Sequence, residues 1–386
     1  MQLPIYLDYN ATTPCDPQVL DAMLPYFTQQ FGNAASTHPF GWTAGAAVEK
    51  ARGQVARLIG ASAQEIVFTS GATEADNLAI KGVYEAYAAK GHHIITVATE
   101  HKAVLDTCAH LEKRGAQVTY LPVDARGHIS LEALEAAITP ATILISVMYA
   151  NNETGVIHPI RAISAIAKQH DILFMTDATQ AVGKIPVHVI EDGIDLLACS
   201  AHKIYGPKGV GALYVRRKDP RVRLTAQMDG GGHERGFRSG TMNVPGIVGF
   251  GHAAELCRLH RAEEHARLCA LRNRLENGLL ALGQVSVNGD TAQRLPQVSN
   301  LAFAQVSGEM LSAAFASQVA LSSGSACNAA SMEPSYVLQA MGLPDELARA
   351  SLRLSLGRFT TEAEIDAVIT AISAAVRKLR GQVFSL

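Results

Sequence analysis

The sequence predicts an α/β protein: a mostly parallel central sheet with helices on both faces, followed by a smaller C-terminal α+β domain. Two observations carry this expectation. Through residue 250, runs rich in β-branched and apolar residues alternate with helix-period segments, the rhythm of strands joined by crossover helices. From about Ile247 the rhythm changes, and a long helical segment over 251–282 gives way to short strands and further helices. A chain of 386 residues suffices for one large domain and one smaller. The expected division is a large domain over 16–250, and a small one built from 1–15 and 251–386 that carries a loop over 321–335.

In chain order, the strand-like runs are Ile66–Ser70, Ile94–Thr99, Val118–Pro122, Ile143–Tyr149, Ile172–Thr176, Ile194–Cys199 and Val210–Val215. Amphipathic stretches separate several of them: Thr73–Ala89, Ala103–Arg114, Leu131–Ile138 and Ile160–His170. Beyond the long helical segment come short strands near Val285 and Val298, and a closing helix over Thr361–Arg380. The longest apolar stretches, such as Thr142–Tyr149, are strand-sized and too short to cross a bilayer. With 33 basic against 35 acidic residues and no basic stripe, neither nucleic acid nor a membrane surface is an expected partner. The first residues lack a charged and then apolar leader, so no secretion signal is expected. Six cysteines lie at 15, 108, 199, 257, 269 and 327 without a Cys-x-x-Cys pair. That spacing argues against a zinc site or a disulfide framework and suits a reducing cytoplasm.

The chemistry is concentrated at Ser200–Gly209, where the run Ile194–Cys199 delivers Ser200, His202 and Lys203 to a turn punctuated by glycine and proline. A lysine held between buried strands tends toward the neutral amine. Such an amine can attack an aldehyde, which is how a lysine holds pyridoxal phosphate. A surface lysine in a loop is the plain alternative. Upstream, Ile172–Gln180 reads as a buried strand ending in Asp177. Pyridoxal chemistry needs an anion at the pyridine nitrogen and a donor near the phenolic oxygen, which Asp177 and Gln180 supply. A strand-end aspartate is more often a helix cap. Paired with a strand-end lysine at the edge where open α/β sheets bind ligands, it reads as the other end of one cofactor site.

Other strand ends add to this pair. Ile66–Glu74 runs from a strand through Gly71 into a helix, whose N-terminus suits a phosphate near Ala72 and Thr73, joined by Ser200 and His202. Thr73 and Glu74 also serve plain capping. His101, after another strand end, could stack on the ring and move protons, although a lone strand-end histidine is usually structural. Asn152, in the polar turn 151–155, could bind the substrate carboxylate or the cofactor oxygen. In the second domain, Cys327 sits amid serine, glycine and alanine, and a thiol on such a loop suits a nucleophile. Arg353, on a strand, could grip a carboxylate with two N–H groups, with a surface salt bridge as the alternative for it and for Arg358.

Together these motifs resemble the cysteine desulfurases of the pyridoxal-phosphate, class V aminotransferase-like family. The resemblance runs from Tyr6–Pro14 to Ser355–Thr361. Its most specific parts are Ser70–Glu74, Thr99–Lys102, Asp177–Gln180, His202–Lys203, Tyr205–Gly209, Gly230–Arg235, Arg238–Thr241 and Ser322–Cys327. It implies the fold type I of pyridoxal-phosphate-dependent transferases. The long cysteine loop looks like the group I subclass, which serves iron–sulfur assembly and thiolation. By motif, Lys203 forms the Schiff base, Asp177 pairs with the pyridine nitrogen, Gln180 with the phenolic oxygen, and His101 stacks on the ring. Thr73, Ser200 and His202 hold the phosphate, with Thr241 reaching it from the other subunit of a homodimer. Arg353 and Asn152 take the carboxylate of L-cysteine, and Cys327 carries the persulfide, through which a transient 2Fe–2S cluster could also be ligated.

The implied reaction turns cysteine into alanine. The freed Lys203 amine removes the α-proton, the Cys327 thiolate attacks the substrate sulfur, and the persulfide passes to an acceptor such as an iron–sulfur scaffold protein. Asn328 and Ala329 replace the usual Thr-Ser after the cysteine, and Ala34 the usual proline of its turn. The chain ends at Leu386, short of the extension that longer relatives use to dock a scaffold, so transfer to that particular scaffold is not implied. Three rivals remain at this point: an aminotransferase, a selenocysteine lyase, and a non-catalytic sulfur-carrier scaffold. The Cys327 loop argues against the first, and retention of Lys203, Asp177 and Cys327 against the third.

Overall fold

A computed structural model describes residues 3–322 and 333–383. Its centre is a seven-stranded sheet in the spatial order Ile66–Thr69, Gly211–Val215, Leu196–Ser200, Leu173–Asp177, Thr142–Ser146, His93–Val97 and Gln117–Leu121. Only Gly211–Val215 runs against its neighbours. The other six strands therefore end at one edge, which is where ligands sit in sheets of this kind.

Each central strand is apolar on both faces because helices cover both. Leu197 and Cys199 join a core under the helices Pro17–Met23, Pro39–Leu58, Ile160–Gln169 and the start of Val244–Leu280. Leu196 and Ala198 join the core under Ala72–Ala86 and Lys102–Glu112. This alternation with period two yields continuous apolar runs rather than polar-apolar stripes. The seven expected strands all form. The expected helices form as well, with ends shifted by a few residues. Pro39–Leu58, passed over in the sequence, is a twenty-residue helix.

The long helix departs most from expectation. It spans Val244–Leu280 and starts seven residues before the expected Gly251, capped by the Asn243 side chain accepting from Gly246 N at 3.1 Å, with Pro245 in its first turn. Gly246 and Gly249 lie in the turns gained before the expected start, and Gly249 and Gly251 are packing sites. A Cβ at Gly249 would lie 2.5 Å from Met23 Sδ, and one at Gly251 would lie 2.6 Å from the Ala51 Cα. The glycines bring this helix against Pro17–Met23 and Pro39–Leu58.

The same helix serves two cores. Val244 through Cys257 pack in the large one, and Leu268, Leu271, Leu275 and Leu279 in a second. The second core lies over a three-stranded sheet, Ser351–Ser355, Val298–Phe303 and Val285–Val287, together with the helices Gly308–Phe315 and Glu362–Val383. The expected boundary at 250/251 thus falls inside a helix, and the change of core comes between residues 257 and 268. The N-terminal segment is also shared. Ile5–Tyr6 pairs in parallel with Val319–Ala320, while Thr13 hydrogen-bonds to the His202 carbonyl.

Candidate active site

At the carboxyl edge of the sheet lies a cavity of about 540 Å³. Ala72, Thr73, His101, Asn152, Asp177, Gln180, Ser200, His202, Lys203 and Arg353 all line it. Thr241 does not; it is exposed, in the segment before the long helix. Cys327, expected as nucleophile and cluster ligand, lies outside the described residues, as do Asn328 and Ala329.

Strand ends place the chemistry. Asp177 closes its strand and is nearly buried, its Oδ1 accepting from Thr179 N at 2.9 Å. Two further carboxyls sit behind it. Burial, then Asp177, pushes the Asp76 carboxyl well above its ordinary value, and the same two causes raise Glu100. Of the three, Asp177 alone faces the cavity.

His101 caps the helix Lys102–Glu112, its Nδ1 accepting from Ala103 N at 3.1 Å. That bond leaves the ring proton on Nε2. Burial holds the imidazole below its usual pKa; Asp177 opposes this and Lys203 adds to it. His202 is neutral too, lowered to about 4 by burial, then by Lys203 and Lys208. The Lys203 Nζ donates to the carbonyls of Asn10 at 2.5 Å and Ala11 at 2.7 Å.

The turn after Ile66–Thr69 brings the first N–H groups of Ala72–Ala86 beside Ser200. Gly211 permits this, because a Cβ there would lie 2.7 Å from the Gly71 Cα and 2.6 Å from the Cys199 carbonyl. From the second core comes Arg353, its Nη2 on Asp8 Oδ1 at 2.7 Å and its Nη1 on the Asn152 carbonyl at 3.3 Å. Arg353 Nε and Asn152 Oδ1 are buried without a partner among the described residues. Arg358 is no part of the cavity. It pairs with Asp16 at 2.7 Å and Glu264 at 2.5 Å and lies over the Tyr205 ring.

Sequence reasoning missed Asn10, whose backbone and side chain meet Lys203, Gln180, Asn152, Gln297 and Ser355. Its motif, Tyr6–Pro14, was in view, but no local pattern tells that a backbone carbonyl nearly 200 residues upstream will receive the lysine. Lys208, also in the wall, was legible only as part of the glycine-proline turn.

The family model described as aminotransferase class-V matches residues 5–368. The chain belongs to this family. Its members work with pyridoxal phosphate, and the relatives narrow the comparison. A protein named cysteine desulfurase IscS from Anaeromyxobacter sp. (strain Fw109-5) is 60% identical over 382 residues, 98% of this chain and 94% of the relative. One of the same name from Methylococcus capsulatus is 55% identical over 381 residues, with the same coverage. Among solved structures, a NifS-like protein superposes with a TM-score of 0.91 at 37% identity, covering 98% of this chain and all of the other. A structure described as SspA in complex with cysteine does so at 0.81 and 38%, covering 92% of this chain and all of that one.

Proposed function

We propose that this class-V aminotransferase family member is a pyridoxal-phosphate-dependent cysteine desulfurase. It converts L-cysteine to L-alanine, holds the sulfur as a persulfide on Cys327, and passes it on for iron–sulfur cluster assembly or thiolation. One observation carries the reading: an amine, a carboxylate, a neutral imidazole and a buried arginine converge on one cavity, in a chain 60% identical to a cysteine desulfurase.

The donor set fits the cofactor. Asp177 suits the ring nitrogen, the helix N-terminus with Thr73, Ser200 and His202 suits the phosphate, and Arg353 Nε and Asn152 Oδ1, unpartnered among the described residues, suit a polar ligand beside them. When bound, pyridoxal phosphate supplies an aldehyde for amines and a protonated ring that takes up electrons.

This chain's own residues do the rest. The Lys203 amine, held on two carbonyls, is the base for the substrate α-proton, and His101 with its proton on Nε2 is a second site for proton movement. Arg353 binds the substrate carboxylate. The Cys327 thiolate attacks the substrate sulfur, the carbon–sulfur bond breaks with its electron pair left on carbon, and that carbon is protonated to give alanine. The wall at Thr73 and Ser200 is completed by Thr241 of a second copy in a homodimer. Exposed Phe27, Phe31, Phe40 and Trp42, with the Phe31 and Phe40 rings 5.4 Å apart, support an apolar face that another protein covers. Among the described residues no helix is long and apolar enough to cross a membrane, and the cytoplasm is the proposed compartment.

The deciding experiment uses the purified protein loaded with pyridoxal phosphate. It should be yellow, change its absorption on adding cysteine, and release one alanine for each sulfur transferred. Cys327→Ala should keep the colour and the response to cysteine yet release no alanine. Undiminished alanine formation in that variant would remove the thiol from the chemistry.

A further inference from the structure

Lys184 lies four residues beyond Gln180, in the turn that follows Asp177. Its Nζ donates to Gln180 Oε1 at 2.6 Å. At the other end of the same carboxamide, Gln180 Nε2 donates to the Asn10 carbonyl at 2.9 Å. That carbonyl also receives Lys203 Nζ. An ammonium has only donors, so the atom of Gln180 that faces it is the oxygen. A carbonyl only accepts, so the atom facing Asn10 is the amide nitrogen. Both ends demand one orientation, and a flipped amide would set donor against donor and acceptor against acceptor. One amide hydrogen goes to Asn10. The second is left for the cavity that Gln180 lines.

We propose that Lys184 is a positioning residue: by holding the oxygen of Gln180, it presents the amide N–H to the phenolic oxygen of bound pyridoxal phosphate. This rests on the reading of the cavity as a pyridoxal-phosphate site. A packing role alone accounts poorly for the residue. Lys184 lines a void of about 20 Å³ together with Lys203, Cys257 and Gln297, where the two cores meet. Burial, then the charge of Lys203, lowers its amine to about 7; Cys257 opposes this and Arg353 adds to it. An unbranched apolar side chain would fill the same space without desolvating an amine.

The test is a pH titration of the visible absorption band of the loaded protein. A donor at the phenolic oxygen favours its anion, so losing it moves the apparent pKa of the band upward. Lys184→Met is expected to raise that pKa by about one unit, a tenfold change in the proton equilibrium. Lys184→Arg, again a donor-only side chain, should leave it within a few tenths of a unit. In a Gln180→Ala background Lys184→Met should add no shift, because the two act as one device. An equal shift in both backgrounds would mean that Lys184 acts by charge alone, and no shift in either would remove its role; both results overturn the proposal. Should Lys184→Met not fold, Lys184→Gln replaces it with a smaller shift of the same sign and the same dependence on Gln180. A wild-type protein that stays colourless with pyridoxal phosphate would sink the cofactor reading itself, a result distinct from a yellow protein whose variants do not shift.

Discussion

Arg353 is buried and held from two sides, by Asp8 and by the Asn152 carbonyl, before any substrate arrives. Its planar fork can meet a carboxylate with two parallel N–H groups, which a lysine cannot copy. Arg353→Lys should therefore keep the positive charge and still raise the KM for cysteine by about 10- to 100-fold, the worth of one charge-assisted hydrogen bond. Steady-state kinetics on cysteine check this, and an unchanged KM would take Arg353 out of substrate binding. His158 offers a test away from the site. It is buried with neither ring nitrogen partnered among the described residues, and burial, then His128, lowers its pKa from 6.5 to about 4. The unfolded chain takes up that proton as pH falls through 6.5, while the folded chain stays neutral to about 4. Folded stability from this residue is complete above pH 6.5 and is lost between 6.5 and 4, up to about 3 kcal/mol. His158→Phe leaves no polar atom stranded, so urea unfolding should show a flatter pH slope and undiminished stability at neutral pH.

The segment bearing Gly230–Thr241 is held by Arg235 on the Ile66 carbonyl, by Arg238 on Glu74 at 2.8 Å and by a buried ion pair. Glu234 accepts from Arg52 through both oxygens at 2.7 Å and from Phe68 N at 2.6 Å. Arg52 in turn lies over the Phe68 ring and donates to the Ile66 carbonyl. The helix Pro39–Leu58, the edge strand Ile66–Thr69 and the Thr241 segment are thus fastened at one point. Glu234→Gln leaves a buried guanidinium with only the exposed Glu49 as counter-charge, and should cost about 3–5 kcal/mol in urea unfolding. Loss of less than about 1 kcal/mol would mean that water reaches the pair. None of this was legible from sequence, since Arg52 and Glu234 stand 182 residues apart. What was legible is local. Strands announced themselves because both faces are apolar, and Asp177, Ser200, His202 and Lys203 because strand ends in such sheets carry ligands. The long helix starts seven residues before its expected start at Gly251: glycine ordinarily weakens a helix, while Gly249 and Gly251 serve here to let helices touch. Asn10 and Lys184 escaped for the reason Arg52 did: their partners are set by tertiary packing.

At the scale of the molecule, the amine and the arginine come from different cores. Lys203 follows a strand of the large sheet, and Arg353 sits in the small one. The helix Val244–Leu280 joins the two, packing in one core up to Cys257 and in the other from Leu268. Between those points it is largely exposed, and Glu264 within it holds Arg358 against Asp16. About three turns of helix thus run between the two cores, with Arg267 among them donating to the carbonyls of Gly357, Arg358 and Thr360. Ala262 lies exposed in the middle of this stretch. Ala262→Gly removes helix propensity without bending the axis, so it should lower stability by about 1 kcal/mol and leave the KM for cysteine unchanged. Ala262→Pro removes a hydrogen bond and clashes with the preceding turn, costing about 3 kcal/mol and kinking the axis. It should also raise KM, because Arg353 and Glu264 move relative to Lys203. Urea unfolding and cysteine kinetics on both variants separate the effects. If the proline variant is destabilised yet keeps its KM, the helix does not set the distance between amine and arginine, which then falls to the shared N-terminal segment and to the backbone bonds of Gly155 and Ile157 with Leu295 and Gln293.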